Sequence, residues 1–345
     1  MNIGNHKIGG GNPTFIIAEA GVNYNNNLDL AFKMVDIASE SGANAIKFQT
    51  WSTDEMQLKN SIKPDYQKTI KNKTYYDIIK NLEPSTKQQE QIFQRCKKRE
   101  ILFLSTPYDK NSVDFLDKLG VKAFKISSSD MVNHILLEHV AKKKKPIILS
   151  TGLSTFKQVK ETIKFFKKIN MKNRLILMQV NSNYPTVPED VNLKVISKYI
   201  DTFFLPVGFS DHTQNSIASI GAVALGASVL EKHFTLSRKL DGPDQSSSLE
   251  PNELKKWIQE IRFIEKCLGK SNKFITNSEK KNLSMRKILV IKPIKKGEII
   301  TEKYLTAMRG KDNGVLPLNN NLTNIIGKKI KKDIEKNTQF SWVMI

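Results

Sequence analysis

Through the first ~265 residues, short apolar runs rich in β-branched residues alternate with longer stretches whose apolar positions recur every three or four residues. The short runs begin near Phe15, Asn44, Ile101, Lys122, Pro146, Leu175, Leu205 and Ser228, and each reads as a strand. Between the first two, Leu28, Ala31, Phe32, Met34, Val35 and Ala38 form one apolar helical stripe, which Gly42 can end without a Cβ clash. Strand and helix in alternation predict parallel strands with helical crossovers. Eight such units in about 230–260 residues match a closed (β/α)8 TIM barrel in number and size. A doubly wound sheet would carry a Gly-rich fingerprint after its first strand, whereas the Gly9-Gly10-Gly11 run precedes it. The texture then changes. A polar stretch rich in Lys, Asn and Ser, from Gly269 to Ser284, reads as a linker. Beyond it Ile288 to Val290, Ile294 and Ile299-Ile300 are short apolar runs punctuated by Pro293, Gly297, Gly310, Gly314 and Pro317. The expected organisation is a barrel over residues 1–268, a linker over 269–284 and a small β-rich domain over 285–345. A domain of about 60 residues is marginal alone, so it should dock on something.

Composition adjusts this picture only a little. Against 34 Asp and Glu stand 55 Lys and Arg, a net charge of +21 that raises the question of a nucleic-acid partner. The excess is mostly Lys scattered through amphipathic stretches such as Lys157 to Lys168, without the aromatic interleaving of a base-stacking surface. No nucleic-acid partner is expected. The two cysteines, Cys96 and Cys267, form neither a CxxC pair nor a disulfide framework, which suits a reducing cytoplasm. The apolar run Phe15 to Ala18 is too short for export or membrane spanning, so no membrane partner is expected either.

In a TIM barrel the carboxyl ends of the strands converge on one mouth, where active sites form. The eight runs end in Glu19; Lys47 and Gln49; Ser105-Thr106; Lys125 followed by Ser128 and Asp130; Ser150-Thr151-Gly152; Gln179 and Ser182 with Tyr184 after; Ser210-Asp211-His212; and Glu231-Lys232-His233. A polar residue after one strand is an ordinary loop start. Gathering so many desolvated groups is costly unless they bind something. Lys47 and Lys125 end apolar runs, where Lys is unusual, and are candidate anion ligands. Ser150, Thr151 and the backbone around Gly152 could complete a phosphate or carboxylate cradle, or simply cap the next helix. Glu19, inside a basic mouth, is a candidate general acid or base, or else the ion-pair partner of a lysine. His212 and His233 follow neighbouring strands about 4.8 Å apart and could share an ion, or each could satisfy a carbonyl. With oxygen ligands, two His suit Mn²⁺, Mg²⁺ or Co²⁺ better than a closed zinc site.

Several ordered motifs together carry a resemblance. Phe15-Ile-Ile-Ala-Glu-Ala-Gly-Val-Asn23, Ile46-Lys-Phe-Gln-Thr50, Leu104-Ser-Thr-Pro107, Lys125-Ile-Ser-Ser128, Ile148-Leu-Ser-Thr-Gly152, Gly208-Phe-Ser-Asp-His-Thr213, Leu230-Glu-Lys-His-Phe234 and Gly242-Pro-Asp244 resemble the sialic acid synthases. The tail, from Arg286 through Ile294-Lys-Lys-Gly297 to Met308-Arg-Gly310, is similar to their antifreeze-like (SAF) domain. The resemblance implies condensation of phosphoenolpyruvate with an N-acylated mannosamine-type sugar to a nine-carbon 2-keto acid, with loss of phosphate. It implies that His212 and His233 hold a divalent metal, Mn²⁺ foremost, and that Lys47, Lys125, Ser128, Ser150, Thr151, Ser182, Tyr184 and Ser210 bind phosphoenolpyruvate. Glu19, Gln49, Asp130 and Asp244 would surround the sugar and the reacting carbons, with Lys47 also among the catalytic groups. It further implies a domain-swapped homodimer in which Arg309 reaches the partner's mouth and meets the sugar's acyl group.

The chain departs from the family pattern at Ser127, Ser129 and Asp130, where many relatives carry Gly, Gly and Glu, at Gln179 and Val180, where many carry His and Cys, and at Gln245, where a His is common. These changes are expected toward the sugar pocket, so the sugar stays open. N-acetylmannosamine would lead to N-acetylneuraminate, and 2,4-diacetamido-2,4,6-trideoxymannose to legionaminate. Pseudaminate fits less well with Gly242-Pro-Asp244 followed by Ser248-Leu-Glu-Pro251. A phosphoenolpyruvate aldolase acting on an aldose phosphate is the competing enzyme class, and the tail with Arg309 speaks against it.

Overall fold

The computed structural model describes residues 1–61, 74–281, 285–311 and 313–345; residues 282–284, the end of the expected linker, lie outside it. The chain divides into two compact units, Met1–Gly269 and Lys270–Ile345.

The first unit is built on eight parallel strands: β1 (Phe15–Gly21), β2 (Ala45–Thr50), β3 (Leu102–Pro107), β4 (Phe124–Ile126), β5 (Ile147–Ser150), β6 (Leu175–Val180), β7 (Val207–Asp211) and β8 (Val229–His233). Hydrogen-bonded neighbours run β3-β2-β1-β8-β7-β6-β5-β4, and β3 and β4 lie side by side, so the sheet comes nearly round on itself. All eight expected strands are present, each beginning within two residues of its expected start. The crossovers include α1 (Leu28–Glu40), α2 (Thr86–Lys98), α3 (Lys110–Leu119), α4 (His134–Lys142), α5 (Phe156–Lys168), α6 (Lys194–Phe203), α7 (Ile217–Ala224) and α8 (Pro251–Leu268). Local chemistry sets their starts: Asn27, Asp109, Asn133 and Thr155 each accept a backbone N–H of the first turn that would otherwise be orphaned. The outward faces of the strands and the inner stripes of the helices form one apolar layer, with Ile16, Ala18, Phe48, Phe124, Leu177 and Trp257 among its members. Inside the barrel a second apolar cluster, with Phe15, Ile17, Leu104, Ile148 and Val229, fills the amino-terminal half. A short hairpin, Asn2–Ile3 paired with His6–Lys7, adds Ile3 and Ile8 to that cluster.

In the second unit β9 (Arg286–Val290) pairs antiparallel with both β10 (Leu305–Arg309) and β11 (Thr338–Gln339). Ile288, Val290, Ile294, Ile300, Ile325 and Phe340 are among its own buried core. It is β-rich as expected, and also carries a helix, α9 (Asn319–Ile325), whose Asn-rich start gave no helical stripe. Among the described residues no helix is long and apolar enough to cross a membrane.

Candidate active site

The barrel interior changes chemistry halfway along its strands. Because side chains alternate faces, a residue two positions beyond an inward apolar side chain also points inward. Ile17 is followed by Glu19, Ala45 by Lys47, Leu104 by Thr106, Ala123 by Lys125, Ile148 by Ser150 and Val229 by Glu231. The outward positions between them, such as Ala18, Ile46 and Leu149, stay apolar, with Ser105 the exception. Each strand thus stays anchored on its outer side while its inner side turns from core to site.

These polar groups are buried and hold one another. Lys47 Nζ lies 2.9 Å from Glu19 Oε2 and 3.7 Å from Glu231 Oε1, and donates to Thr106 Oγ1 at 3.1 Å. Lys125 Nζ donates to Ser150 Oγ at 2.7 Å and lies 3.6 Å from the same Glu231 oxygen. Gln49 Nε2 donates to Glu19 Oε1 at 3.4 Å. Two carboxylates around shared ammonium groups split their proton affinities. Burial pushes Glu19 up to about 7 despite Lys47, with Glu231 adding to the rise. Burial would also raise Glu231, but Lys125 and Lys47 outweigh it and hold that carboxyl below its usual range. Glu231 is therefore the standing anion and Glu19 the group poised to exchange a proton near neutral pH. Burial pushes Lys125 down to about 8, whereas for Lys47 the two carboxylates outweigh burial and raise it.

Above this layer stand the two histidines. Their ring centroids are 5.4 Å apart, and Tyr184 stacks on His212 at 4.2 Å and meets His233 edge-on at 5.5 Å. His212 Nδ1 is 2.6 Å from the Asn181 carbonyl oxygen. That oxygen can only accept, so Nδ1 carries the proton and Nε2 keeps a lone pair. His233 Nδ1 is buried with no hydrogen-bond partner. Burial pushes His212 down to about 4 and His233 well below the ordinary imidazole value. Two neutral imidazoles, one oriented by a backbone carbonyl and one with an orphaned nitrogen, are a donor set that fits a divalent cation. Among the described residues no group of three or more His, Cys, Asp or Glu is placed to hold a metal, so the remaining ligands would be oxygens of substrate or water.

Two cavities open here. One, of about 560 Å³, is lined by Lys47, Lys125, Ser128, Ser150, Ser182 and Ser210, among others. Its serine side is drawn tight around Gly152, whose N–H donates to Ser128 Oγ at 3.1 Å. A Cβ on Gly152 would come within 2.6 Å of both Ser128 Oγ and Ser182 Oγ, so any larger residue would close the cradle. The second cavity, of about 480 Å³, is lined by Val22, Trp51, Met56, Asp130, Pro243 and Asp244, among others. Gln49, Tyr75, Tyr108, Ser129, Tyr184 and His233 line both, which makes them adjoining rooms with a common wall.

Residues 34–273 match the NeuB family model. The chain is 43% identical over 301 residues to the N,N'-diacetyllegionaminic acid synthase of Campylobacter jejuni, covering 86% of this chain and 90% of that protein. It is 36% identical over 336 residues to the human N-acetylneuraminate-9-phosphate synthase, covering 95% and 92%. The crystal structure of the N-acetylneuraminic acid (sialic acid) synthetase of Leptospira borgpetersenii superposes with a TM-score of 0.73 at 36% identity, over 82% of this chain and 94% of that one. The chain belongs to the NeuB family. It is an enzyme, a phosphoenolpyruvate-utilising sugar-acid synthase.

Within this NeuB-family mouth the structure gathers most of the residues singled out from the sequence. Glu19, Lys47, Lys125, Ser128, Ser150, Ser182, Ser210 and His212 line the first cavity, Asp130 and Asp244 the second, and Gln49, Tyr184 and His233 both. Thr151 does not line either. Its hydroxyl donates to the Met178 carbonyl at 2.9 Å and accepts from Tyr199 at 3.2 Å. Arg309 ends β10 in the second unit, opposite Arg286. Of the departures from the family pattern, Ser127, Ser129, Asp130 and Val180 line the cavities, and Ser127 at 2.6 Å and Asn133 at 3.0 Å already donate to the Asp130 carboxylate. Gln179 donates to the Val191 carbonyl and Gln245 to the Asn23 carbonyl, so both are buried scaffolding rather than pocket lining. Glu231, a strand-end residue to which the sequence assigned no role, stands two residues before His233 and so shares its face. Trp51, Met56 and Tyr75 gave no strand-end signal, because they sit in the long excursion between β2 and α2.

Proposed function

We propose that the protein condenses phosphoenolpyruvate with the open-chain aldehyde of an N-acylated mannosamine-type sugar. The observation that carries this reading is the pair of adjoining cavities, one rich in cations and hydroxyls and the other polar and acidic with a few apolar side chains, with a common wall. Phosphoenolpyruvate belongs in the first, its phosphate and carboxylate on Lys47, Lys125, Ser128, Ser150, Ser182 and Ser210. The sugar belongs in the second, between Gln49, Asp130, Tyr184 and Asp244. The bond forms from C3 of phosphoenolpyruvate to the aldehyde carbon. The aldehyde oxygen takes a proton, for which Glu19 is placed and tuned. Water adds its oxygen at C2 and inorganic phosphate leaves, giving the 2-keto acid. Holding both reactants in contact supplies the main advantage, roughly 7–11 kcal/mol in favourable cases. A divalent ion held by His212 and His233, Mn²⁺ foremost with Mg²⁺ or Co²⁺ as alternatives, would polarise the aldehyde.

The lining of the second cavity narrows the sugar. Among the described residues it carries no Lys or Arg, in a chain of net charge +21, and it includes Glu55, Asp130 and Asp244. An unphosphorylated sugar suits it better than a sugar phosphate. Trp51, Met56, Ile79 and Leu82 offer apolar surface that suits a deoxygenated carbon, which favours 2,4-diacetamido-2,4,6-trideoxymannose, the legionaminate precursor, over N-acetylmannosamine. The test is phosphate release from phosphoenolpyruvate with Mn²⁺ across a panel of acylated sugars and their 6-phosphates, with the product read by mass. No release with any acylated sugar would sink the reading.

The working form is a homodimer in which the tail domain of one copy closes the mouth of the other. In support, Leu58, Val132, Ile135, Leu153, Val187 and Ile217 stand exposed on the loops and helix starts that follow the strand ends. An apolar rim of this kind asks for a cover. Mixing an Arg309→Ala chain with a Lys125→Ala chain tests it: a swapped dimer regains activity in the hybrid, because one mouth is then wholly wild type.

A further inference from the structure

Directly behind the two histidines lies a pair of charges that the reaction does not use. On β7 and β8, Ser210 and Glu231 point into the barrel, so Asp211 and Lys232 point out of it, and these two are register partners. Their side chains are 0% and 2% exposed, and Lys232 Nζ lies 2.9 Å from Asp211 Oδ2. Both oxygens of the Asp211 carboxylate are doubly partnered. Asp211 Oδ1 accepts from the Thr213 N–H at 2.8 Å and the Thr213 hydroxyl at 2.7 Å. Asp211 Oδ2 also accepts from Ser219 of α7 at 2.5 Å, and Lys232 Nζ donates to the Thr213 carbonyl at 2.7 Å.

This network is an expensive way to hold two strands together. Removing two charges from water costs several kcal/mol per ion, and well-packed apolar residues often serve stability as well or better. What the pair supplies instead is geometry. The carboxylate of Asp211, the residue before His212, clamps Thr213, the residue after it, and Lys232, bonded to both, is the residue before His233. One network therefore grips the backbone on either side of His212 and the residue leading into His233. A slip of either strand end would break a buried charge out of its partners.

We propose that Asp211 and Lys232 are positioning residues that set the spacing of His212 and His233, and so the affinity of the mouth for a divalent cation, without touching either substrate. The inference rests on the metal reading given above. The test is titration of Mn²⁺ alone into the full-length chain by calorimetry, beside titration of phosphoenolpyruvate alone, for wild type, His212→Ala, Lys232→Met and Ser219→Ala. Lys232→Met is expected to weaken Mn²⁺ binding by about 10- to 100-fold, the range for outer-shell partners of metal ligands, and to leave phosphoenolpyruvate binding unchanged. Ser219→Ala, which removes one donor to Asp211 and keeps the ion pair, should weaken Mn²⁺ by a smaller factor. A pair that served only stability would lower the melting temperature, or weaken both ligands together, without this selectivity. Wild-type Mn²⁺ affinity in folded Lys232→Met overturns the role of the pair while leaving the metal reading standing. If Lys232→Met does not fold, wild-type Mn²⁺ affinity in Ser219→Ala overturns it. If the wild-type chain binds no Mn²⁺, or His212→Ala binds it equally well, the metal reading falls and this inference falls with it.

Discussion

The two rooms of the mouth are built by different means. The cation-rich room stands on strand ends: its side chains project from hydrogen-bonded neighbours whose outer faces are locked into the helical layer. The other room is built largely from loops and short helices, with Trp51 and Met56 between β2 and α2, Asp130 between β4 and α4, and Asp244 beyond β8. A multiply charged substrate needs ligands held at fixed separation, which a ladder supplies. A sugar presents many weak, directional groups, and loops can be reshaped around it without disturbing the barrel. The difference teaches that one mouth can keep its phosphate chemistry while its second substrate varies.

Lys47→Met should have the largest effect, on stability. It leaves Glu19 and Glu231 buried beside each other without their shared cation, at a cost of about 3–5 kcal/mol. Urea unfolding checks this, and adding Glu19→Gln should recover part of the loss. Lys125→Ala should lower kcat/KM for phosphoenolpyruvate by roughly 10²–10³-fold, about 3–4 kcal/mol, with a much smaller change in the apparent affinity for sugar. Equal changes for both substrates would break the division into two rooms.

Asp244 gives a pH-dependent test on the loop side. Burial pushes its carboxyl up to about 6 despite Lys47. A carboxyl raised in the folded state favours folding in its neutral form. That contribution is fully present below the ordinary carboxylate value and is lost as pH rises through about 6. Asp244→Asn should therefore match wild type near pH 4 and exceed it at pH 8 by roughly 1–2 kcal/mol, solvent screening of a half-buried group trimming the gain. Melting curves at the two pH values decide it. The smallest expected effect is Asp130→Ala, which should weaken the apparent affinity for sugar by about tenfold, roughly 1.4 kcal/mol, and leave that for phosphoenolpyruvate unchanged. Asp130→Asn, which can still accept from Ser127, should lose less.

Much of the strand-borne room was legible in the sequence. A strand such as Phe15–Gly21 is buried along its whole length, so its parity shows only through its one charged residue: Glu19 belongs in the mouth, and Ile17 two residues earlier lies inside with it. The same parity separates Ser150, which faces in, from Thr151, which faces out, and puts Glu231 on the face of His233. Of the loop-borne room only Asp130 and Asp244, carried by the family motifs, were legible; Trp51, Met56 and Tyr75 were not, because a loop has no period to read. Gln179 and Gln245 illustrate the limit. As departures from a family pattern they pointed to the pocket, yet each spends its amide on a backbone carbonyl.

The sequence by itself determined the barrel, its order of strands and most of the polar residues that face its mouth, because strand runs and helical period are properties of a few consecutive residues. Only the tertiary structure decided which of those groups meet. That Lys47 stands between Glu19 and Glu231, that Glu19 rather than Glu231 takes the raised proton affinity, and that Asp211 and Lys232 lock the strand ends behind the histidines all depend on distances across neighbouring strands. Those distances follow from register and burial, which no local pattern encodes.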